Sequence, residues 1–130
     1  MATVTPERYK VWQREESNAV QSVAGGAFTT AFSFQAEPLQ AGDYKVSASF
    51  ELRLVTPGAN TLVQAQMLVN GNLKSDHSYA GEEWDRKTAW DFQTFVDGAT
   101  PTVRIDFKRT NAGGTVEIRK MKISVERKRD

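Results

Sequence analysis

The chain has 130 residues, of which 39% are hydrophobic and 25% charged, so it has the size and composition of one ordinary globular domain. Its 17 basic and 16 acidic residues give a formal charge of +1, which provides no overall field to attract nucleic acid or a membrane, so neither is expected as a partner. The absence of cysteine excludes disulfides and thiolate sites, and the single histidine, His77, excludes any site that needs two. We expect no cofactor and no metal.

The N-terminal segment has no targeting signal, because Met1–Glu16 lacks an apolar stretch of the length that secretion requires. No later run is long enough to span a bilayer. We expect synthesis in a cytoplasm and a polar N-terminal arm over residues 1–8. Pro6–Gln13 could form a short helical turn or a first strand, and Tyr9–Arg14 is counted as a weak strand.

Alternation of apolar and polar residues is the dominant pattern after this arm. In Asp43–Val55 the apolar residues occupy every second position, which predicts a long strand with one buried and one solvated face. The inward set there is Tyr44, Val46, Ala48, Phe50, Leu52 and Leu54. Similar alternation predicts further half-buried strands, with inward sets Phe28, Thr30, Phe32, Phe34 and Ala36; Val63, Ala65, Met67 and Val69; Trp90, Phe92, Thr94 and Val96; and Val103, Ile105 and Phe107.

Turn residues separate these strands. Asn70-Gly71 suits a two-residue type I′ hairpin, and a weaker strand over Asn72–Tyr79 follows it. Thr56–Asn60, Asp97-Gly98 and Asn111–Gly114 predict three more reversals. The connection over Ala80–Lys87 is long enough to cross between two sheets.

In the last predicted strand, the alternation of apolar residues shifts by one position. Val116 and Ile118 share one parity while Met121, Ile123 and Val125 share the other, so we predict a β-bulge or bend near Arg119 and Lys120. Basic residues cluster here and in the predicted tail over residues 126–130. Between positions 119 and 129 they are opposed only by Glu126: Arg119, Lys120, Lys122, Arg127, Lys128 and Arg129. Such a tail either protects the last strand from edge pairing or docks onto an acidic protein surface.

Together these elements predict an all-β, single-domain antiparallel β-sandwich over residues 1–130, jelly-roll-like, with about eight strands. An immunoglobulin-like sandwich and a closed barrel are the alternatives.

No catalytic site is predicted. In Ser75–Ser78 the residue types of a hydrolase triad are present, but successive residues of one strand point to opposite faces, so His77 and its neighbour Asp76 cannot form a relay. Glu82, Glu83 and Asp85, with Asp91 nearby, could form a glycosidase pair or a weak calcium site, yet Arg86 and Lys87 adjoin them and favour a charge-balanced loop.

Aromatic residues are the better candidates for contact with a partner or a ligand. Trp84 lies in a polar loop and is expected to be exposed, whereas Trp90 is placed in the inward set of its strand and Trp12 near a chain end. We therefore predict contact residues at Trp84 and Trp12, together with the basic residues Arg127, Lys128 and Arg129.

The assembled pattern resembles the small jelly-roll structural proteins of tailed bacteriophage virions, the capsid decoration or cement proteins. The segments that carry the resemblance are Ala41–Ala48, Met67–Gly71 and Gly113–Arg119. The same pattern resembles carbohydrate-binding modules and terminal domains of phage fibres.

The cement resemblance implies a non-enzymatic virion protein that binds and bridges major capsid subunits or another virion protein, as a homo-oligomer, dimer or trimer. The alternative that the second resemblance implies is a carbohydrate-binding module or a receptor-binding fibre domain, with carbohydrate as the partner.

Overall fold

A computed structural model describes residues 12–57, 61–110 and 114–128. These residues form nine β-strands and no helix, so the predicted all-β fold is confirmed. The strands are β1 (Trp12–Ser17), β2 (Gln21–Val23), β3 (Thr29–Gln35), β4 (Gly42–Pro57), β5 (Leu62–Val69), β6 (Asn72–Tyr79), β7 (Asp85–Phe95), β8 (Thr102–Thr110) and β9 (Gly114–Arg127). The predicted arm at residues 1–8 lies outside the described residues.

The strands form two antiparallel sheets that pack face to face. One has the order β1-β9-β4-β7, with β2 also paired to β9, and the other has the order β3-β8-β5-β6. Strands from the two halves of the chain alternate in each sheet, which is the arrangement of a jelly roll. This strand order excludes the immunoglobulin-like alternative, and the two separate sheets exclude the closed barrel.

The core lies between the sheets and is built around β4. All six predicted inward residues of β4 are buried, from Tyr44 to Leu54. They face the predicted inward set of β5, Val63 to Val69, which is also buried. The alternating pattern therefore placed the two central strands of the core correctly.

The predicted bulge is present in β9. The pairing of β4 with β9 shifts between Ser49 and Glu51, and Lys120 has a positive φ of 50°. The extra residue brings Ile118 and Met121, on either side of it, to the same buried face.

The edge strand beside β9 is interrupted at the same level. Ser17, the last residue of β1, pairs with Met121, and Gln21, the first residue of β2, pairs with Ile118. The break between β1 and β2 thus lies opposite the bulge. Strand β2 was not predicted, because the interruption leaves it only three residues long.

The turns follow their sequence signals where they are described. Asn70 and Gly71 both have positive φ, 51° and 81°, as a type I′ hairpin requires. Gly98 also has a positive φ, of 83°. The predicted turn residues 58–60 and 111–113 lie outside the described residues, and the crossing between the sheets takes only residues 80–84, because β7 begins at Asp85.

The predicted facing of β7 is wrong. Ala48 pairs with Ala89 and Ser47 pairs with Trp90, so the register with β4 turns Ala89 and Phe95 inward. Trp90 consequently points outward, with Phe92. Directly opposed residues of paired strands share a face, and β4 is held by its six buried side chains.

The predicted facing of β3 is wrong in part. A register shift between Thr30 and Phe32 places Ala31 in the core and leaves Thr30 exposed. The Thr30 hydroxyl instead donates a hydrogen bond of 2.9 Å to Asp106 on the neighbouring strand β8.

The bulge gives a prediction about stability. Lys120→Val places a β-branched residue at a left-handed φ and is expected to lower the free energy of unfolding by about 1–2 kcal/mol, whereas Lys120→Gly should leave it unchanged or slightly higher. Urea denaturation measures both. Lys122→Val, in the extended part of the same strand, is the matched control and should have little effect. Equal stability of Lys120→Val and Lys122→Val would contradict the role of the bulge.

Candidate functional site

The outward side chains of β1, β9, β4 and β7 form a surface that we call the outer face. Because the four strands are in register, these side chains align in rows across the sheet. Successive rows are Trp12, Glu126, Lys45 and Phe92; then Arg14, Ser124, Ser47 and Trp90; then Glu16, Lys122, Ser49 and Thr88. Aromatic residues thus lie on the two edge strands, and serines lie on the central strands.

Three large aromatic side chains of the outer face are about half exposed. The exposed fractions are 51% for Trp12, 53% for Trp90 and 47% for Phe92. Trp90 and Phe92 contact each other edge to face, with ring centroids 5.2 Å apart. Exposed aromatic rings on the surface of a folded domain commonly mark a binding surface.

Each of these rings has a cation above it. Arg14 lies 5.5 Å from the centroid of Trp12, Lys45 Nζ 5.4 Å from Trp90, and Lys128 Nζ 4.7 Å from Phe92. Such pairs hold the rings in place while leaving much of their surface accessible. The outer face is therefore both aromatic and basic.

A groove of about 330 Å³ crosses the outer face, and we call it the serine groove. Its lining residues are Trp12, Arg14, Ser47, Ala48, Ser49, Arg86, Thr88, Lys122 and Ser124. On its floor the hydroxyl groups of Ser47 and Ser124 are hydrogen bonded to each other at 2.7 Å. The small serine side chains create the depression, because longer side chains on the edge strands stand above them.

Ser49 is unusual among the groove residues. Its side chain is only 8% exposed, and its hydroxyl has no hydrogen-bond partner among the described residues. A buried hydroxyl without a partner destabilises a fold, and most such groups are satisfied in native proteins. Its place in the groove lining makes it a candidate for bonding to a ligand.

Trp84, the predicted exposed contact, is half-buried and directly precedes β7. Guanidinium groups lie over its ring, that of Arg119 at 4.0 Å from the centroid and that of Arg53 at 4.5 Å. Arg119 also donates a hydrogen bond of 2.7 Å to Glu51, and this bond holds the pKa of Glu51 below its usual value. Trp84 therefore belongs to a network of ion pairs at one end of the sheet.

The basic C-terminal residues are partly built into the sandwich. Strand β9 continues through Arg127, so the sheet includes the first two residues of the predicted tail. Arg127 donates a hydrogen bond of 2.9 Å to Gln40, and the backbone N–H of Lys128 donates one of 2.7 Å to Asp43. Arg129 lies outside the described residues.

Of the residue types of a hydrolase triad in β6, only a serine and the histidine are hydrogen bonded to each other. Ser75 and His77 point to the same side of β6 and share a hydrogen bond of 3.0 Å. The two residues belong to one strand, and the His77 ring packs against the core residue Phe50 with centroids 6.1 Å apart. Burial is the main cause that lowers the pKa of His77, followed by the charge of Lys87, while Asp76 opposes them.

The predicted carboxylate cluster is dispersed. Glu82 and Glu83 are exposed in the connection before β7, and Asp85 pairs with Lys87 at 2.9 Å. Asp91 accepts a hydrogen bond from Gln93. Within residues 12–57, 61–110 and 114–128 no group of three or more acidic or histidine side chains is placed to hold a metal ion. These residues also include no helix with the length and hydropathy of a membrane span.

Sequence reasoning missed Trp90 and Phe92 as surface residues. Both were assigned to the core because they alternate with polar residues. The core-facing positions of β7 are instead the odd-numbered ones, where Ala89 and Phe95 are buried. The only signal that could have found them is the register of β7 against β4.

Comparison with known proteins relates the chain to others by fold alone. No protein-family model matches the sequence. No curated protein matches it either. Among solved structures, the VP2 protein of infectious bursal disease virus, in T=1 particles, superposes with a TM-score of 0.58 at 10% identity over 98% of this chain.

Two other solved structures are similar to this chain to a lesser degree. Dimeric latent PorU from Porphyromonas gingivalis has a TM-score of 0.51 at 10% identity over 95% of this chain. The CBM22-1 xylan-binding domain from Paenibacillus barcinonensis has a TM-score of 0.42 at 14% identity over 91% of this chain. The chain spans 36% of VP2 and 13% of PorU, so it corresponds to one part of each of those larger chains.

The environment of His77 gives a prediction about pH. The pKa of His77 in the folded protein is below its ordinary value of 6.5, so the unfolded chain binds the proton more readily. The free energy of unfolding should therefore decrease as the pH falls through this value. Denaturation at several pH values should show a smaller decrease for His77→Gln than for the wild type. Parallel curves for the two proteins would show that His77 does not contribute.

Proposed function

We propose that this chain is a non-enzymatic structural protein of a virion, a decoration protein that binds and bridges major capsid subunits through its outer face. The observation that carries the proposal is the set of three half-exposed aromatic rings, Trp12, Trp90 and Phe92, on a sheet face that nothing in the described chain covers. Aromatic and arginine residues are enriched where proteins bind one another.

Two further observations support this proposal. The fold is similar to one part of VP2, a protein of viral particles, over 98% of this chain. The outer face also carries cations at Arg14, Lys45 and Lys128, which suit an acidic protein surface. On a repeating lattice, dimers or trimers would add weak contacts through multivalency.

Co-sedimentation with particles of its own virus that lack this protein tests the proposal. The wild type should sediment with the particles, and the double variant Trp90→Thr, Phe92→Thr should bind at least roughly tenfold more weakly, as expected for the loss of an aromatic hot spot. Threonine keeps the strand preference of β7.

Leu73→Thr is the matched control, because Leu73 is also about half exposed but belongs to the other sheet. It should bind as the wild type does. Wild-type protein that stays in the supernatant would refute the proposal, and equal losses for the control and the double variant would place the contact elsewhere.

A second candidate function is glycan binding on the same face. Trp12 and Trp90 present half-exposed rings on the two edge strands, and the serine hydroxyls of the central strands lie between them. Such an arrangement can stack against sugar rings and bond to their hydroxyl groups. This arrangement differs from a protein-binding patch, whose centre is usually apolar.

A panel of immobilised glycans tests the second candidate. Wild-type protein should bind at least one glycan, and Trp12→Thr and Trp90→Thr should each lose most of that signal. Trp84→Phe should retain it, because Trp84 is engaged by Arg53 and Arg119. A wild-type protein that binds no glycan would refute this candidate and leave the first one standing.

A further inference from the structure

We propose that the serine groove binds an oligosaccharide that carries carboxylate or sulfate groups. This inference rests on the glycan-binding candidate and specifies both its ligand class and the place of binding.

The polar groups that line the groove are hydroxyls and cations. Four side chains supply hydroxyl groups, Ser47, Ser49, Thr88 and Ser124, and three supply positive charge, Arg14, Arg86 and Lys122. No carboxylate is among the lining residues. The volume of about 330 Å³ is in the range of small-ligand sites, roughly 300–1,000 Å³.

The hydroxyls of the floor have unused hydrogen-bonding capacity. A serine hydroxyl offers one donor and two acceptor sites, and Ser47 and Ser124 share only one bond with each other. Ser49 uses none of its capacity within the described residues, although it is more than nine-tenths buried. A ligand that both donates and accepts hydrogen bonds at short intervals satisfies such a floor, and sugar hydroxyls do so.

The cations around the floor are only weakly neutralised. Arg14 lies 3.6 Å from Glu16, and Arg86 lies 3.7 Å from Glu51, which already accepts a shorter bond from Arg119. Both arginine side chains are about half exposed, where ion pairs contribute little. Lys122 has no ion pair within the described residues.

A neutral glycan would cover these three cations without compensating their charge. An anionic substituent on the sugar would compensate it, and guanidinium groups bind carboxylate and sulfate-like oxygens with good geometry. Nucleic acid fits less well, because Trp12 is the only aromatic residue of the lining and successive bases need successive stacking platforms. The sugar hydroxyls and the acidic groups together match what the groove offers.

Calorimetric titration with matched pairs of ligands tests the inference. Oligogalacturonate is compared with its methyl ester, and dextran sulfate with dextran, so that the neutral member of each pair lacks the anionic group. We expect at least one charged member to bind roughly tenfold or more tightly than its neutral partner, with an affinity that decreases as salt is added.

Variants then locate the site. Ser49→Ala and Lys122→Gln should each weaken binding of the charged glycan by roughly threefold to tenfold, a loss in the range of one polar contact. Ser49→Ala should also keep or raise the melting temperature, since it removes an unsatisfied hydroxyl. Lys74→Gln on the other sheet is the matched control and should bind as the wild type does.

Each contrary result has a distinct meaning. Equal binding of charged and neutral glycans would overturn the inference while the glycan-binding function stands. Binding of no glycan would overturn both. Equal or tighter binding of polyglutamate or of a single-stranded oligonucleotide would show that charge alone is recognised, and it would also overturn the inference.

Discussion

The burial of alternate side chains of β4 is the constraint on which the rest of the structure depends. With its inward residues from Tyr44 to Leu54 fixed in the core, β4 cannot shift by one position without turning all of them into water. Its two neighbours in the sheet, β9 and β7, pair with it along most of its length and take their facing from it. The same register therefore decides which side chains appear on the outer face.

Much of this fold could be predicted, because its strongest patterns are local. The alternation in β4 and β5, the Asn70-Gly71 turn and the phase change around Lys120 can all be read within a few residues of sequence. The facing of β7 could not be predicted in this way. Trp90 and Phe92 are more hydrophobic than Ala89 and Asp91 of the opposite parity, so local hydrophobicity favours the wrong face, and only the pairing with β4 corrects it.

The candidate site was less accessible to sequence reasoning than the fold. Trp84 attracted attention because it lies among polar residues, but the arginines that cover it come from β4 and β9. The serine groove has no signature along the chain, since Arg14, Ser47, Thr88 and Ser124 belong to four different strands. Serine in a strand usually indicates only a solvated position. Here the serines form the floor of a groove because of the residues that lie beside them on neighbouring strands.

The central position of β9 has a consequence for how the protein folds. β9 is the last of the described strands, yet it lies between β4 and the edge strands β1 and β2. During synthesis this sheet cannot be completed until β9 has left the ribosome. Until then, one edge of β4 has no partner strand for its backbone N–H and C=O groups. Contacts between distant parts of a chain form slowly, so the nascent protein passes through a stage that is open to aggregation or to capture by a chaperone.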